Sequence, residues 1–340
     1  MSEKEKDMKL TKKFAALACA LTLAAGCSSA PAENTDSEKH FTIGLAQLVD
    51  HTSLNTIRDA MLGEFEDLGY KDGENITIDY QNAAGQISNL DTIMNGYASE
   101  GVDAIIAIAT PTAQAAQNYS QDIPVIFSAV SDPVGAGLVE TLEAPGGNIT
   151  GTSDEVQVDQ IVDLILKVLP DTKTVGVLYN SGEANSVTNI KNFKKYAEEK
   201  GLKVEEATGT DLTTLQQAAD VLASKVDVLF SPNDNTVASG MSALSQIAID
   251  HKVPYFTGAD SMVQDGGFAT VGIDYEQLGI DTAKMTIDIL NGADPATTPV
   301  KVFKDDLNIY VNQKTLDALG ITLPDDVKND PKLIIMDEAQ

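Results

Sequence analysis

Gly101-Val102-Asp103-Ala104-Ile105-Ile106-Ala107-Ile108 runs directly into Ala109-Thr110-Pro111-Thr112-Ala113-Gln114-Ala115-Ala116. The same order returns at Lys225-Val226-Asp227-Val228-Leu229-Phe230, followed by Ser231-Pro232-Asn233-Asp234-Asn235-Thr236-Val237-Ala238. Each apolar run lacks alternation, as expected of a strand covered on both faces, and each ends in a hydroxyl, Pro and Asn turn that opens a helix. Such a turn offers free backbone N–H groups and the positive end of a helix to whatever faces it. Two of them facing each other make a ligand cleft.

The echo extends in both directions. Phe41-Thr42-Ile43-Gly44-Leu45-Ala46 and a helical stretch ending at Gly69 correspond to Thr174-Val175-Gly176-Val177-Leu178-Tyr179 and a helical stretch ending at Gly201. Ile123-Pro124-Val125-Ile126-Phe127 corresponds to Val253-Pro254-Tyr255-Phe256-Thr257 as a strand entered through proline. Each half therefore reads strand, helix, strand, helix, strand, helix, strand, which predicts an α/β fold of two similar doubly wound parallel-sheet lobes joined by a hinge. The 340 residues, 43% of them hydrophobic, suffice for two cores of ordinary size.

Charge and composition exclude several classes. A net charge of −28 leaves no cationic face for nucleic acid. Arg58 is the only arginine, so a guanidinium clamp for an anion is available at one position alone. His40, His51 and His251 are the only histidines and cannot assemble a His-rich metal site. The chain has no Gly-x-Ser-x-Gly elbow, no Gly-x-x-x-x-Gly-Lys loop and no Gly-x-Gly-x-x-Gly fingerprint, and Asn233-Asp234-Asn235 lacks the Gly and Glu of a calcium loop. No enzyme, cofactor or metal is expected.

The N-terminus reads as an export signal. Lys9, Lys12 and Lys13 precede an apolar stretch from Phe14 to Ala25, too short to span a bilayer, that ends in Leu23-Ala24-Ala25-Gly26-Cys27. Small residues before a cysteine have the form of a lipobox, with Cys27 as the lipidated new N-terminus. Met1 and Met8 both remain possible starts. Residues 1–26 hold five lysines and three acidic residues, so their removal leaves a net charge of −30. A polar tether over 27–39 follows. Cys19 and Cys27 are the only cysteines, and disulfides are excluded.

Asp132-Pro133-Val134-Gly135-Ala136-Gly137-Leu138-Val139 and Pro145-Gly146-Gly147-Asn148-Ile149-Thr150-Gly151, together with the two turn motifs and Gly272-Ile273-Asp274-Tyr275, resemble the extracellular solute-binding lipoproteins of ABC importers, in the branch with tryptophan- and tyrosine-type binding proteins. The resemblance covers essentially the whole mature chain. It implies a type I periplasmic-binding fold that closes on a small ligand and docks on an ABC permease with its ATPase, at the outer face of the cytoplasmic membrane. The organisation expected is a signal over 1–26, a tether over 27–39, lobe one over 40–150 plus 274–298, lobe two over 151–273 plus 299–330, and a tail over 331–340. Crossings between lobes are expected at Asn148 to Ser153, at Gly272 to Tyr275 and within Pro299 to Leu307, with Leu307 to Val311 as the final strand.

Ligands of open α/β sheets sit beyond the C-terminal ends of the strands. In lobe one this selects Gln47, His51, Thr110, Thr112, Ala113, Ser128, Ala129 and Asp132. In lobe two it selects Asn180, Glu183, Asn185, Ser186, Asn233, Asp234, Asn235, Thr236 and Asp260, with Asp274 at the hinge. Plain helix capping is the alternative for Thr110, Ser231 and Asn233, and capping or solvated surface for each Asp. For an amino acid, which the resemblance suggests, aromatic or branched, the carboxylate is expected on Thr110 to Ala113. The ammonium is expected on Asp234, Asp274 or Glu183, and His51, Phe127, Tyr179 and Tyr275 are expected as walls. A ligand-sensing receptor of the same fold, a binder of sugars or other solutes, and a cell-surface enzyme remain as alternatives.

Overall fold

The computed structural model describes residues 40–304 and 307–336; the expected signal, Cys27 and the tether lie outside the described residues. The chain opens with β1 (Phe41–Gln47), α1 (Thr52–Asp67), β2 (Ile76–Asn82), α2 (Ile87–Glu100), β3 (Ala104–Ile108), α3 (Thr110–Gln117), β4 (Val125–Ser128) and β5 (Ile149–Ser153). After α4 (Val158–Val168) the series repeats as β6 (Thr174–Asn180), α5 (Ala184–Glu199), β7 (Lys203–Gly209), α6 (Leu212–Ala223), β8 (Val228–Ser231), α7 (Asn235–Ser239), α8 (Met241–Asp250), β9 (Tyr255–Thr257), α9 (Asp260–Gln264) and β10 (Ala269–Gly272). It finishes with α10 (Tyr275–Leu290), β11 (Lys301–Val302), β12 (Asn308–Asn312), two short helices and β13 (Leu333–Met336).

The sheets reproduce the echo strand for strand. One runs β11-β5-β4-β3-β1-β2 and the other β13-β12-β10-β9-β8-β6-β7, so β5-β4-β3-β1-β2 and β10-β9-β8-β6-β7 have the same order. All these pairs are parallel; only β10 with β12 is antiparallel. Every residue of β3, β4, β5 and β8 is buried, which is why these runs show no polar alternation. Helices cover both faces: α4 buries Ile161, Val162, Leu164, Ile165 and Val168 on one side, and α6 starts in a capping box between Asp211 and Thr214.

Three crossings join the lobes, the first displaced from the expected place and the other two within the expected Gly272 to Tyr275 and Pro299 to Leu307. Asn148 to Ser153 is not a hinge. Ile149–Ser153 is a fully buried strand held between β4 and β11, and the chain crosses after it. The second crossing lies at Ile273 and Asp274. It delivers α10 onto α1, where Gly279 lies so close to the Ile57 carbonyl that an added Cβ would stand 2.4 Å from that oxygen. The third comes after β11, which extends the first sheet although 299–330 was expected in lobe two. Residues 331–340 were expected as a tail. Leu333–Met336 instead pairs parallel with β12 as an edge strand, with Ile334 and Ile335 exposed.

Candidate ligand-binding cleft

The strand ends of both lobes converge on a narrow, largely polar cavity between the lobes. In lobe one, β3 and β4 end at Ala109 and Ala129, with φ of 81° and 57°. Left-handed conformations are unfavourable for alanine and cluster at functional sites. The kink at Ala109 starts α3 with no side-chain cap, so Thr110 becomes its first residue and Pro111 follows where a missing N–H costs nothing. The loop after β1 is tied from beneath. Gln47 Nε2 donates to the Val49 carbonyl at 2.8 Å and to Asn55 Oδ1 at 2.7 Å, and Arg58 donates to Asn55 Oδ1 and to the Tyr80 hydroxyl, both at 3.2 Å. This bracing holds His51 at the mouth of α1.

In lobe two the turn after β8 is built around two buried carboxylates. Asp234 Oδ2 accepts from the Asn180 N–H at 2.7 Å and from the Ser186 hydroxyl at 2.6 Å, while Oδ1 caps α7 by accepting from the Val237 N–H at 2.8 Å. Glu183 accepts from the backbone and side chain of Asn235 at 3.0 and 2.6 Å, and from those of Thr236 at 3.1 and 2.9 Å. Burial, with the nearby Glu183 charge adding to it, pushes the Asp234 carboxyl up. With both acids engaged inside lobe two, the flanking Asn233 and Asn235 are turned towards lobe one.

The lobes are closed. Asn233 Nδ2 donates across the cleft to Ser131 Oγ at 2.8 Å and to Asp154 Oδ2 at 2.5 Å. His51 Nε2 lies 3.3 Å from Asn235 Oδ1, Thr52 donates to Asp265 Oδ2 at 2.7 Å, and the Ser53 and Ser261 hydroxyls are 2.5 Å apart. Asp154 stands on the first crossing and Tyr275 just after the second. The Tyr275 hydroxyl donates to Asp154 Oδ2 at 2.9 Å and Ser131 to Oδ1 at 2.9 Å. Burial raises the Asp154 pKa against these three donors.

Of the expected site residues, His51, Thr110, Ala129, Asn185, Asn233 and Asn235 line the cavity. Gln47, Asn180, Glu183, Ser186, Asp234 and Thr236 lie behind it as supports, and Ser128 bonds Thr282 at 2.9 Å inside lobe one. Thr112 and Ala113 are buried in α3 and do not line the cavity, and Asp132 receives the Gly135 N–H at 2.8 Å in its own loop. Asp260 accepts from the Ser261 N–H, and burial pushes its carboxyl up to about 7. Asp274 caps α10 through Glu276 and Gln277. The expected ammonium partners Asp234, Asp274 and Glu183 are thus all engaged by backbone or side-chain donors away from the cavity, and the carboxylate lining it is Asp154. Of the expected aromatic walls, Phe127 is in the lobe-one core and Tyr179 donates to Glu206, while Tyr275 does line the cavity. Sequence reasoning missed Ser53, Leu54, Ala109, Ser131, Asp154, Ala238 and Met262. Ser131 is one residue from Asp132, and Asp154 directly follows the Gly and Thr stretch taken for a hinge.

Among the described residues, five buried side-chain polar atoms lack a partner: His51 Nδ1, Thr110 Oγ1, Thr112 Oγ1, Asn185 Oδ1 and Ser245 Oγ. Three of the five, on His51, Thr110 and Asn185, belong to cavity-lining residues. Folded proteins leave few such atoms, so their concentration here marks a place where a polar ligand completes the structure.

Two α/β lobes closing over a polar cavity at the strand ends define a solute-binding protein of the type I periplasmic-binding class. The chain matches the family described as ABC transporter substrate binding protein over residues 42–334, and it belongs to that family. It is 38% identical over 323 residues to a tyrosine-binding protein of Clostridioides difficile, covering 93% of each chain. A Streptococcus pneumonia ABC domain in complex with L-Trp is 39% identical with a TM-score of 0.84, the match covering 88% of this chain and all of that one. The ligand-free, open structure of a Clostridium difficile substrate-binding protein with adhesive properties is 42% identical at the same coverage, yet its TM-score is 0.67. At similar identity, the described lobes match the complex better than the open form, in keeping with the bonds across the cleft. Structures at 15 to 17% identity with TM-scores of 0.54 to 0.61 share the fold alone.

Proposed function

We propose that the chain captures an amino acid with an aromatic side chain between its lobes and delivers it to an ABC permease and its ATPase. In this reading it is held at the outer face of the membrane by a lipid on Cys27, with the lobes divided between residues 40–153 with 275–302 and residues 158–272 with 308–336. The observation that carries the reading is the pairing of a desolvated carboxylate, Asp154, with three unpartnered polar atoms in one closed interlobe cavity. An ammonium relieves the buried charge of Asp154, and Asn185, whose Nδ2 donates to the Asn233 carbonyl at 3.2 Å, lines the same cavity with an unpartnered Oδ1. The ligand carboxylate rests at Thr110, on a hydroxyl without a partner and the start of an eight-residue helix. Leu54, Ala109, Ala129, Ala238 and Met262 supply the apolar wall for the side chain. Relatives named for tyrosine and crystallised with L-Trp support the aromatic choice. A sugar is the weaker reading, because it leaves the Asp154 charge without a counter-charge.

A thermal-shift and calorimetric panel of the twenty amino acids, with sugars as comparison, tests this. A ligand at a hundred times its dissociation constant adds about 2.7 kcal/mol of stability. L-Tyr or L-Trp is expected to give a large shift, and a panel in which only sugars shift the transition overturns the reading.

A further inference from the structure

The unpartnered nitrogen of His51 has a chemistry that its neighbours dictate. Glu183 Oε2 receives the Asn235 side-chain nitrogen at 2.6 Å, so that amide has its NH2 towards lobe two and its oxygen towards lobe one. The oxygen, Asn235 Oδ1, meets His51 Nε2 at 3.3 Å. A carbonyl oxygen only accepts, so Nε2 carries the proton and the other nitrogen, Nδ1, presents a lone pair. Nδ1 is buried and has no partner in the protein. The groups nearest the ring leave this intact: Asp50 precedes it, held by Gln47 Nε2 at 3.4 Å, and Arg58 is turned to Asp50, Asp59, Asn55 and Tyr80. Burial lowers the His51 pKa to about 4, so the ring is neutral at physiological pH.

We infer that the Glu183–Asn235–His51 relay makes His51 Nδ1 a fixed hydrogen-bond acceptor that selects ligands carrying an N–H or O–H donor on the aromatic side chain. The inference rests on the amino-acid reading above and sharpens it. Asp154 and His51 line the same cavity and meet Asn233 and Asn235 of one turn, so one amino acid between the lobes can place its ammonium at Asp154 and turn a side-chain donor to His51. Phenylalanine fits the apolar wall equally well but leaves Nδ1 buried and unsatisfied. A site built to hydrogen-bond a ligand hydroxyl or N–H rejects the analogue lacking it far more strongly than a methylene difference allows.

The experiment is calorimetric titration of the purified protein with L-Tyr, L-Trp, L-Phe and 1-methyl-L-Trp, repeated on His51→Leu and His51→Gln. The wild type is expected to bind L-Phe and 1-methyl-L-Trp about 10- to 100-fold more weakly than the parent donors. In His51→Leu the preference for tyrosine over phenylalanine collapses towards unity. His51→Gln, whose amide can donate to Asn235 and still offer an oxygen, recovers part of the preference. Equal wild-type affinities for tyrosine and phenylalanine, or a preference that survives in His51→Leu, overturn the assignment and leave the amino-acid reading standing. Absence of binding by all four overturns both. Nitrogen-15 NMR of wild-type histidine, which needs no variant to fold, gives an independent check. A pyrrole-type Nε2 and pyridine-type Nδ1 on His51 are expected, and the reverse tautomer overturns the relay.

Discussion

Replacing Asp154 by Asn separates a ligand anchor from a structural carboxylate. Asp154 is buried with three donors, Ser131, Asn233 and Tyr275, at 2.5 to 2.9 Å, and burial raises its pKa, so in the ligand-free protein its charge is a net burden. The amide keeps the shape. Its oxygen can take the bonds from Asn233 and Tyr275, and its NH2 can donate to Ser131 Oγ. Truncating one side of a buried charge pair costs about 2 to 5 kcal/mol, so amino-acid affinity should fall on the order of 100-fold. The melting temperature of the ligand-free variant should stay within about 2 °C of wild type or rise. Isothermal titration and calorimetric melting read the two quantities on one preparation. An affinity within threefold of wild type refutes Asp154 as the ammonium partner. A large drop in ligand-free stability refutes the argument that its charge serves the ligand rather than the fold.

Three further outcomes follow from the same geometry. Ligand-free stability should fall by about 1 kcal/mol per unit as pH rises from 5 to 7. Burial raises the Asp234 and Asp260 carboxyls to about 7, so over this window the native state holds protons that the unfolded chain releases. His51, lowered to about 4, acts in the opposite sense below 6.5 but is one group against two; denaturant melts at each pH should show a shallower slope in Asp260→Asn. Thr52→Val with Ser53→Ala removes two hydrogen bonds across the cleft and takes only the Ser53 hydroxyl from the cavity wall, leaving its apolar side chains in place. At about 1 kcal/mol each, this should weaken ligand binding about 10- to 30-fold, with small-angle scattering of the ligand-free protein shifted to larger dimensions. Gly258→Ala puts a Cβ 2.5 Å from the Asn233 backbone nitrogen, and the displaced turn should cost about 1 to 3 kcal/mol of stability and loosen ligand binding, both measurable by melting with and without ligand.

The fold was legible because period and order suffice for it. The unalternating runs at 104–108 and 228–231 are buried strands, and the duplicated order gave two sheets with the same strand sequence. The site was legible only to the level of the turn. Asn233-Asp234-Asn235 does meet the cleft, but the structure turns the middle residue inward as a cap and the outer two towards lobe one, a choice made by Glu183, Asn180 and Ser186 from elsewhere in the chain. Asp154 gave no local signal in so acidic a chain; only Ser131, Asn233 and Tyr275, brought to it by folding, distinguish it. Glycine and threonine suggested a flexible hinge at 148–153, yet strand pairing on both sides decides that segment.

The most direct test of the account is a crystal structure of the protein with L-Tyr. The prediction is a single ligand between the lobes, its ammonium on the Asp154 carboxylate, its carboxylate at Thr110 and its hydroxyl donating to His51 Nδ1. A ligand whose ammonium sits instead on Asp234 or Asp274, or one bound outside the interlobe cavity, contradicts it.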